Sequence, residues 1–159
     1  MRISVIGGQE ADERASRVAF EVGREIGARG HVLICGGRTG VMREACRGAK
    51  ESGGLTVGIL PGDDLGDVNE FVDIPLPTGI GYTRNVLVAR AGEAVIAIDG
   101  QLGTLSEIAF ALISGRPVVG LGTWELRDGS GQEAPIERVE DAVSAVDACE
   151  AAVAAAGSG

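Results

Sequence analysis

The sequence predicts a single-domain α/β fold with a mostly parallel sheet and helices on both of its faces. Three observations point there. Short aliphatic runs alternate with amphipathic helical segments along nearly the whole chain. The 159 residues are 45% hydrophobic yet only 3% aromatic, so the core is built from aliphatic side chains. The 26 glycines call for many tight turns between those runs, and the length suits one domain with a full core.

Arg2–Ile6 is the first strand, closed by Gly7-Gly8. Ala15, Val18, Ala19, Val22 and Ile26 then recur at helical spacing and form one apolar face. Val32–Cys35 is the next strand, Val41–Ser52 the next helix, and Leu55–Leu60 a third strand closed by Pro61-Gly62. The loop Pro61–Asn69 is acidic and leads into a short strand at Phe71–Ile74 and a turn-rich stretch, Pro75–Gly81. A helix over Thr83–Ala91, a strand at Ala94–Ile98, a helix over Thr104–Ser114 and a strand at Pro117–Leu121 continue the alternation. Residues 127–135 are polar and glycine-rich and read as an exposed excursion, followed by a short strand at Ile136–Val139. The last helix carries Ala142, Ala145, Val146, Cys149 and Val153 on one stripe and is expected to fray over residues 157–159.

Composition removes several function classes. A net charge of −9 argues against nucleic acid as a partner, because phosphate-backbone binding relies on clustered Lys and Arg. His31 is the only histidine, so neither a His-based metal site nor a Ser-His-Asp triad can be assembled within one chain, and no metal is expected. The three cysteines Cys35, Cys46 and Cys149 lack C-x-x-C spacing. Neither a signal peptide nor a long apolar span is present, which suggests a reduced cytoplasmic setting and no membrane partner. Lys50 is the only lysine; a Schiff base would have to use it, and the sequence offers it no evident partner.

Two glycine turns carry the functional signal. Gly36-Gly37-Arg38-Thr39-Gly40 follows the second strand, and Gly100-Gln101-Leu102-Gly103-Thr104 follows Ala94–Ile98. Such a turn brings backbone close to a ligand while the following helix aims unpaired N–H groups and the positive end of its dipole at the same place, so a phosphate or another anion is the expected guest. Both belong on the carboxyl edge of the sheet. Dinucleotide binding is disfavoured, because the first strand ends in Gly7-Gly8-Gln9-Glu10-Ala11 rather than G-x-G-x-x-G, and neither turn has the ending of a P-loop.

Read with its neighbours Thr78-Gly79-Ile80-Gly81-Tyr82-Thr83-Arg84-Asn85, the segment Gly100-Gln101-Leu102-Gly103-Thr104-Leu105-Ser106-Glu107 resembles the P-G-G-x-G-T-x-x-E motif and upstream arginine of the LONELY GUY (LOG) family. Gly36-Gly37-Arg38-Thr39-Gly40-Val41-Met42 matches the family's other glycine motif, and the likeness is greatest to its branch of small bacterial proteins and molybdenum-cofactor carriers. The resemblance spans Met1 to about Leu121. It implies a Rossmann-like fold, a homodimer or larger assembly, and hydrolysis of the N-glycosidic bond of nucleoside 5′-monophosphates, with no cofactor required. By motif position, Glu107 is the catalytic carboxylate, Arg84 its partner, Gly100, Gly103 and Thr104 the phosphate cradle, and Gly36, Gly37, Arg38, Thr39 and Gly40 a second wall of the same pocket, with Asn85 beside them. The alternative implied by the carrier branch is a non-catalytic carrier or sensor, with molybdenum cofactor as the carried ligand.

The same residues also admit purely structural readings. Leu105, Ile108, Ala109 and Leu112 form an apolar stripe with Glu107 opposite it, so Glu107 can simply complement the helix dipole, or face a pocket completed by another subunit. Arg84 can be a solvated helix-start residue, Thr39 and Thr104 helix-start residues, Asn69 and Asn85 turn caps, and Cys35 a small strand-end residue. Three departures from the family pattern bear on the cradle: Asp99 replaces proline, Gln101 the second glycine, and Cys35 a glycine at the start of the first motif. A carboxylate at position 99 would repel phosphate unless it points away.

Overall fold

The computed structural model describes residues 1–157. Seven strands form one sheet in the order β4-β3-β2-β1-β5-β6-β7, and every neighbouring pair is parallel. The strands are β1 (Arg2–Gly7), β2 (Val32–Cys35), β3 (Leu55–Leu60), β4 (Ile74–Pro77), β5 (Ala94–Ile98), β6 (Val118–Leu121) and β7 (Ile136–Arg138). The helices are α1 (Glu13–Ala28), α2 (Val41–Glu51), α3 (Asn85–Ala91), α4 (Leu102–Ile113) and α5 (Ala142–Gly157), with a 3-10 turn at Gly81–Arg84.

The period-two alternation of the central strands builds two cores. Ile3 and Val5 of β1 and Ile96 and Ile98 of β5 pack under α1, α2 and α5, whereas Ile6 of β1 and Val95 and Ala97 of β5 pack under α3 and α4. Asp12 caps α1 by accepting from the Ala15 amide at 2.7 Å. Strand order reverses between β1 and β5: one chain continues to α1 on one face and the other to α4 on the opposite face. A crevice therefore opens beyond the carboxyl ends of these two strands.

Four expectations need correction. The strand expected at Phe71–Ile74 lies at Ile74–Pro77, because Thr56 Oγ1 donates to Phe71 O and the Val72 amide turns back to Asn69 O, which takes residues 71–73 out of the ladder. Pro75 and Pro77 are tolerated because β4 is an edge strand. The helix expected from Thr104 begins at Leu102, which places Thr104 inside the first turn with 2% of its surface exposed. Its buried side is Thr104, Glu107, Ile108 and Ala111, so Glu107 faces inward while Ala109, Phe110 and Ile113 are exposed. Lys50 has a partner after all, donating to Asp73 Oδ1 at 2.7 Å. At the far end, α5 stays helical through Gly157, and Ser158 and Gly159 of the expected frayed tail lie outside the described residues.

Candidate functional site

At the β1–β5 reversal lies a cavity of about 700 Å³. Its walls come from three places: Gly7, Gly8 and Gln9 after β1; Tyr82, Arg84 and Asn85 around the 3-10 turn; and Gln101 to Thr104, Ser106 and Glu107 of α4, with Met42 of α2 between them.

The α4 end of the cavity presents an uncapped helix N-terminus. The first intrahelical bond is Leu105 N–H to Gln101 O, and Gln101 supplies no side-chain cap, so the first-turn amides of Leu102, Gly103 and Thr104 precede the helical ladder. Thr104 Oγ1 is buried and has no hydrogen-bond partner among the described residues. A buried unpaired hydroxyl costs about 1–3 kcal/mol, an expense that a bound acceptor would remove. Gly100, at φ +121°, lies behind the cradle; a Cβ there would strike the Thr104 side chain.

Beside the cradle, Arg84 and Glu107 are brought together from 23 residues apart. Nη1 of Arg84 lies 3.3 Å from Glu107 Oε1, and the two residues are 5% and 6% exposed. Burial pushes the Glu107 carboxyl up to about 7, against the pull of the Arg84 charge. The same burial lowers Arg84, with Glu107 opposing it. The guanidinium also donates to Asn85 Oδ1 at 2.9 Å and to Gly36 O at 3.4 Å, while its Nε has no partner among the described residues. This leaves a carboxyl poised near neutrality next to a buried cation.

The first glycine turn, expected as a second wall, lies one layer behind. Gly36 holds Arg84 through its carbonyl, and Gly37 packs against Gly58 and Leu60. The Gly37 and Arg38 carbonyls accept from Asn69, and the Arg38 side chain reaches Asp67 at 3.1 Å. Thr39 Oγ1 donates to Gln9 O, and Gly40, at φ +64°, presses so closely on Gly8 and Gln9 that a Cβ would collide with both. The turn thus shapes the cavity through the β1 loop and Arg84. Cys35 sits under it, its sulfur 3.5 Å from that of Cys46 and accepting from the Gly37 amide; those two contacts and Arg84 draw the Cys35 thiol down against burial.

Asp99 does not reach the cradle. It adopts φ +48°, accepts from Thr123 Oγ1 through its carbonyl, and lines a separate small cavity with Asp12, Arg14 and Glu140. Gln101 does line the main cavity, and its carbonyl accepts from Trp124 Nε1. Sequence reasoning passed over Gly7, Gly8, Gln9, Met42, Tyr82 and Ser106. The sequence signal was only a glycine pair closing the first strand; the strand order then places that pair at the topological reversal.

The fold and site define a Rossmann-like α/β protein with a cavity at an uncapped helix N-terminus, next to a buried arginine–glutamate pair. The model of the SLOG cluster4 family matches residues 1–153. The chain belongs to this family, within the wider LOG and SLOG group. A protein of Archaeoglobus fulgidus is 48% identical over 122 residues, covering 76% of this chain and 80% of the relative. A probable cytokinin riboside 5′-monophosphate phosphoribohydrolase of Oryza sativa subsp. japonica is 30% identical over 119 residues, 67% of this chain; the match spans 49% of the rice protein, about half its length. Among solved structures, the molybdenum cofactor binding protein of Rippkaea orientalis superposes with a TM-score of 0.85 at 34% identity, covering 94% of this chain and 95% of the other.

Among the described residues no helix is long and apolar enough to cross a membrane, and no cluster of three or more His, Cys, Asp or Glu could hold a metal ion.

Proposed function

We propose that the cavity binds a nucleotide-like phosphorylated small molecule and hydrolyses the N-glycosidic bond of nucleoside 5′-monophosphates to base and ribose 5-phosphate. The single observation that carries the binding reading is the partnerless buried Thr104 hydroxyl at an uncapped helix N-terminus, beside Arg84. The phosphate sits on the first turn of α4, with Gly8 and Gln9 opposite. In the chemical step, water adds across the C1′–N bond through an oxocarbenium-like ribose. Ionised Glu107 stabilises that charge and orients the water, and Arg84 holds the carboxylate in place. Similarity to the rice phosphoribohydrolase supports this chemistry.

A second reading, a non-catalytic carrier of molybdenum cofactor, is favoured by the near-complete match to the Rippkaea protein. The same cradle then holds the phosphate of the pterin. In either case the protein acts as a homodimer or larger homo-oligomer: Leu87, Leu102, Phe110 and Ile113 expose apolar surface on α3 and α4, and Leu102 is also at the cavity wall.

Incubation with each common nucleoside monophosphate, reading free base and ribose 5-phosphate, separates the two. Turnover lost in Glu107→Gln supports the hydrolase. Binding of phosphorylated ligands with no turnover leaves the carrier, and absence of both removes the proposal.

A further inference from the structure

The guanidinium of Arg84 is shared among three acceptors, and the shortest of the three bonds is not the one to Glu107. Nη1 lies 2.9 Å from Asn85 Oδ1 and 3.3 Å from Glu107 Oε1, and Nη2 lies 3.4 Å from Gly36 O. Asn85 is 4% exposed, and its amide is fixed on the other side: Nδ2 donates to Ser106 Oγ at 2.9 Å and to Gly103 O at 3.4 Å, while Ser106 Oγ itself donates to Gly103 O at 2.7 Å. Turning the amide over would set its NH₂ against the Arg84 N–H and its oxygen against the Gly103 carbonyl, so only one orientation satisfies every group.

We propose that Asn85 is a positioning residue: its amide oxygen diverts Arg84 from Glu107 and ties the guanidinium to the first turn of α4, leaving the Glu107 carboxyl incompletely paired and available to the ligand. Asn85 thereby joins the anion cradle and the acid–arginine pair into one unit, rather than touching phosphate itself. This deepens the binding reading above and rests on it for its meaning in function, but the geometry it asserts holds without any ligand. The other titratable groups facing Arg84 are Cys35 from β2, Arg38 from the turn after it and Tyr82 from the 3-10 turn; none of them anchors α4.

The test is a carbon-13 NMR titration of the glutamate side-chain carboxyls in the ligand-free protein, with Glu107→Gln identifying the resonance. In Asn85→Leu, Arg84 loses its nearest acceptor and turns to Glu107, so the Glu107 midpoint falls by about one pH unit, tenfold in the acid constant. In Asn85→Asp, a second carboxylate competes for the same guanidinium and the midpoint rises. The fall in Asn85→Leu identifies positioning, because a leucine that merely replaces a polar neighbour deepens the burial of Glu107 and raises its midpoint, whereas the rise in Asn85→Asp follows from like charge in either case and checks only that position 85 faces the pair. Ser106→Ala, which removes one of the two acceptors of the Asn85 amide, gives a smaller downward shift and stands in if Asn85→Leu does not fold. A rise or an unmoved midpoint in folded Asn85→Leu, or in Ser106→Ala where it stands in, overturns the proposal. Because the titration uses no substrate, the protein can fail every turnover assay and still pass this one.

Discussion

Replacing Glu107 with glutamine probes the buried carboxyl without changing its shape. In the folded protein, burial raises this carboxyl from its ordinary 4.5 to about 7. Below pH 4.5 both folded and unfolded chains hold the proton and the group costs nothing. As pH rises toward 7 the unfolded chain releases the proton while the folded one keeps it, so stability drains away and levels off above the folded value. At 1.36 kcal/mol per pH unit, the total is about 3 kcal/mol. Glu107→Gln lacks this loss. Urea unfolding of both proteins between pH 4.5 and 8 should therefore show the variant gaining about 3 kcal/mol relative to the parent across that range, whatever its offset at the acidic end. Exposed carboxylates such as Glu70 and Asp128 titrate in both proteins and cancel in the difference. Parallel curves would refute the buried, proton-retaining Glu107. Parallel curves are also what a Glu107 held ionised by Arg84 gives, because a lowered carboxyl loses its contribution to stability below pH 4.5.

The remaining expectations concern the cradle, the chemistry and the surface. Thr104→Val keeps the shape but removes the unpaired hydroxyl; it should weaken phosphorylated ligands about tenfold in calorimetry while stabilising the empty protein. In steady-state assays with a nucleoside monophosphate, kcat/KM should rise with pH through about 7 as Glu107 ionises, and Glu107→Gln should show no turnover at any pH in that range. Gly40→Ala forces a Cβ into a backbone at φ +64° against Gly8 and Gln9, and should cost more than about 1–3 kcal/mol in chemical unfolding while weakening ligand binding through the displaced β1 loop. Ile113→Glu, at a position 80% exposed, should shift sedimentation toward monomer if α3 and α4 form the subunit contact, with no change in monomer stability.

Much of the fold was legible because its strands are bounded by unambiguous turns. Val32–Cys35, Leu55–Leu60 and Ala94–Ile98 are aliphatic runs flanked by glycine, proline or polar turn residues, and the structure places them at those bounds. The edge strand was not legible: Phe71 and Val72 have the stronger strand character, yet Thr56 and Asn69 hold that segment by hydrogen bonds across sequence, which periodicity cannot show. The inward face of α4 was hidden for a different reason. The helix has apolar residues nearly all around, and its buried side includes a threonine and a glutamate that burial ordinarily penalises. Only the motif pointed to Arg84 and Glu107. The displaced role of Gly36–Gly40 followed from close backbone packing on the β1 loop, and Gly7-Gly8 became visible as a wall only when the strand order was known.

The most direct measurement of the central claim is calorimetric titration of the intact protein with a nucleoside 5′-monophosphate and, in parallel, with the corresponding nucleoside. Saturable heat is expected with the monophosphate and little with the nucleoside, and Thr104→Val should narrow that difference about tenfold. Equal binding of the two, or binding of neither any monophosphate nor a pterin phosphate, would contradict that claim.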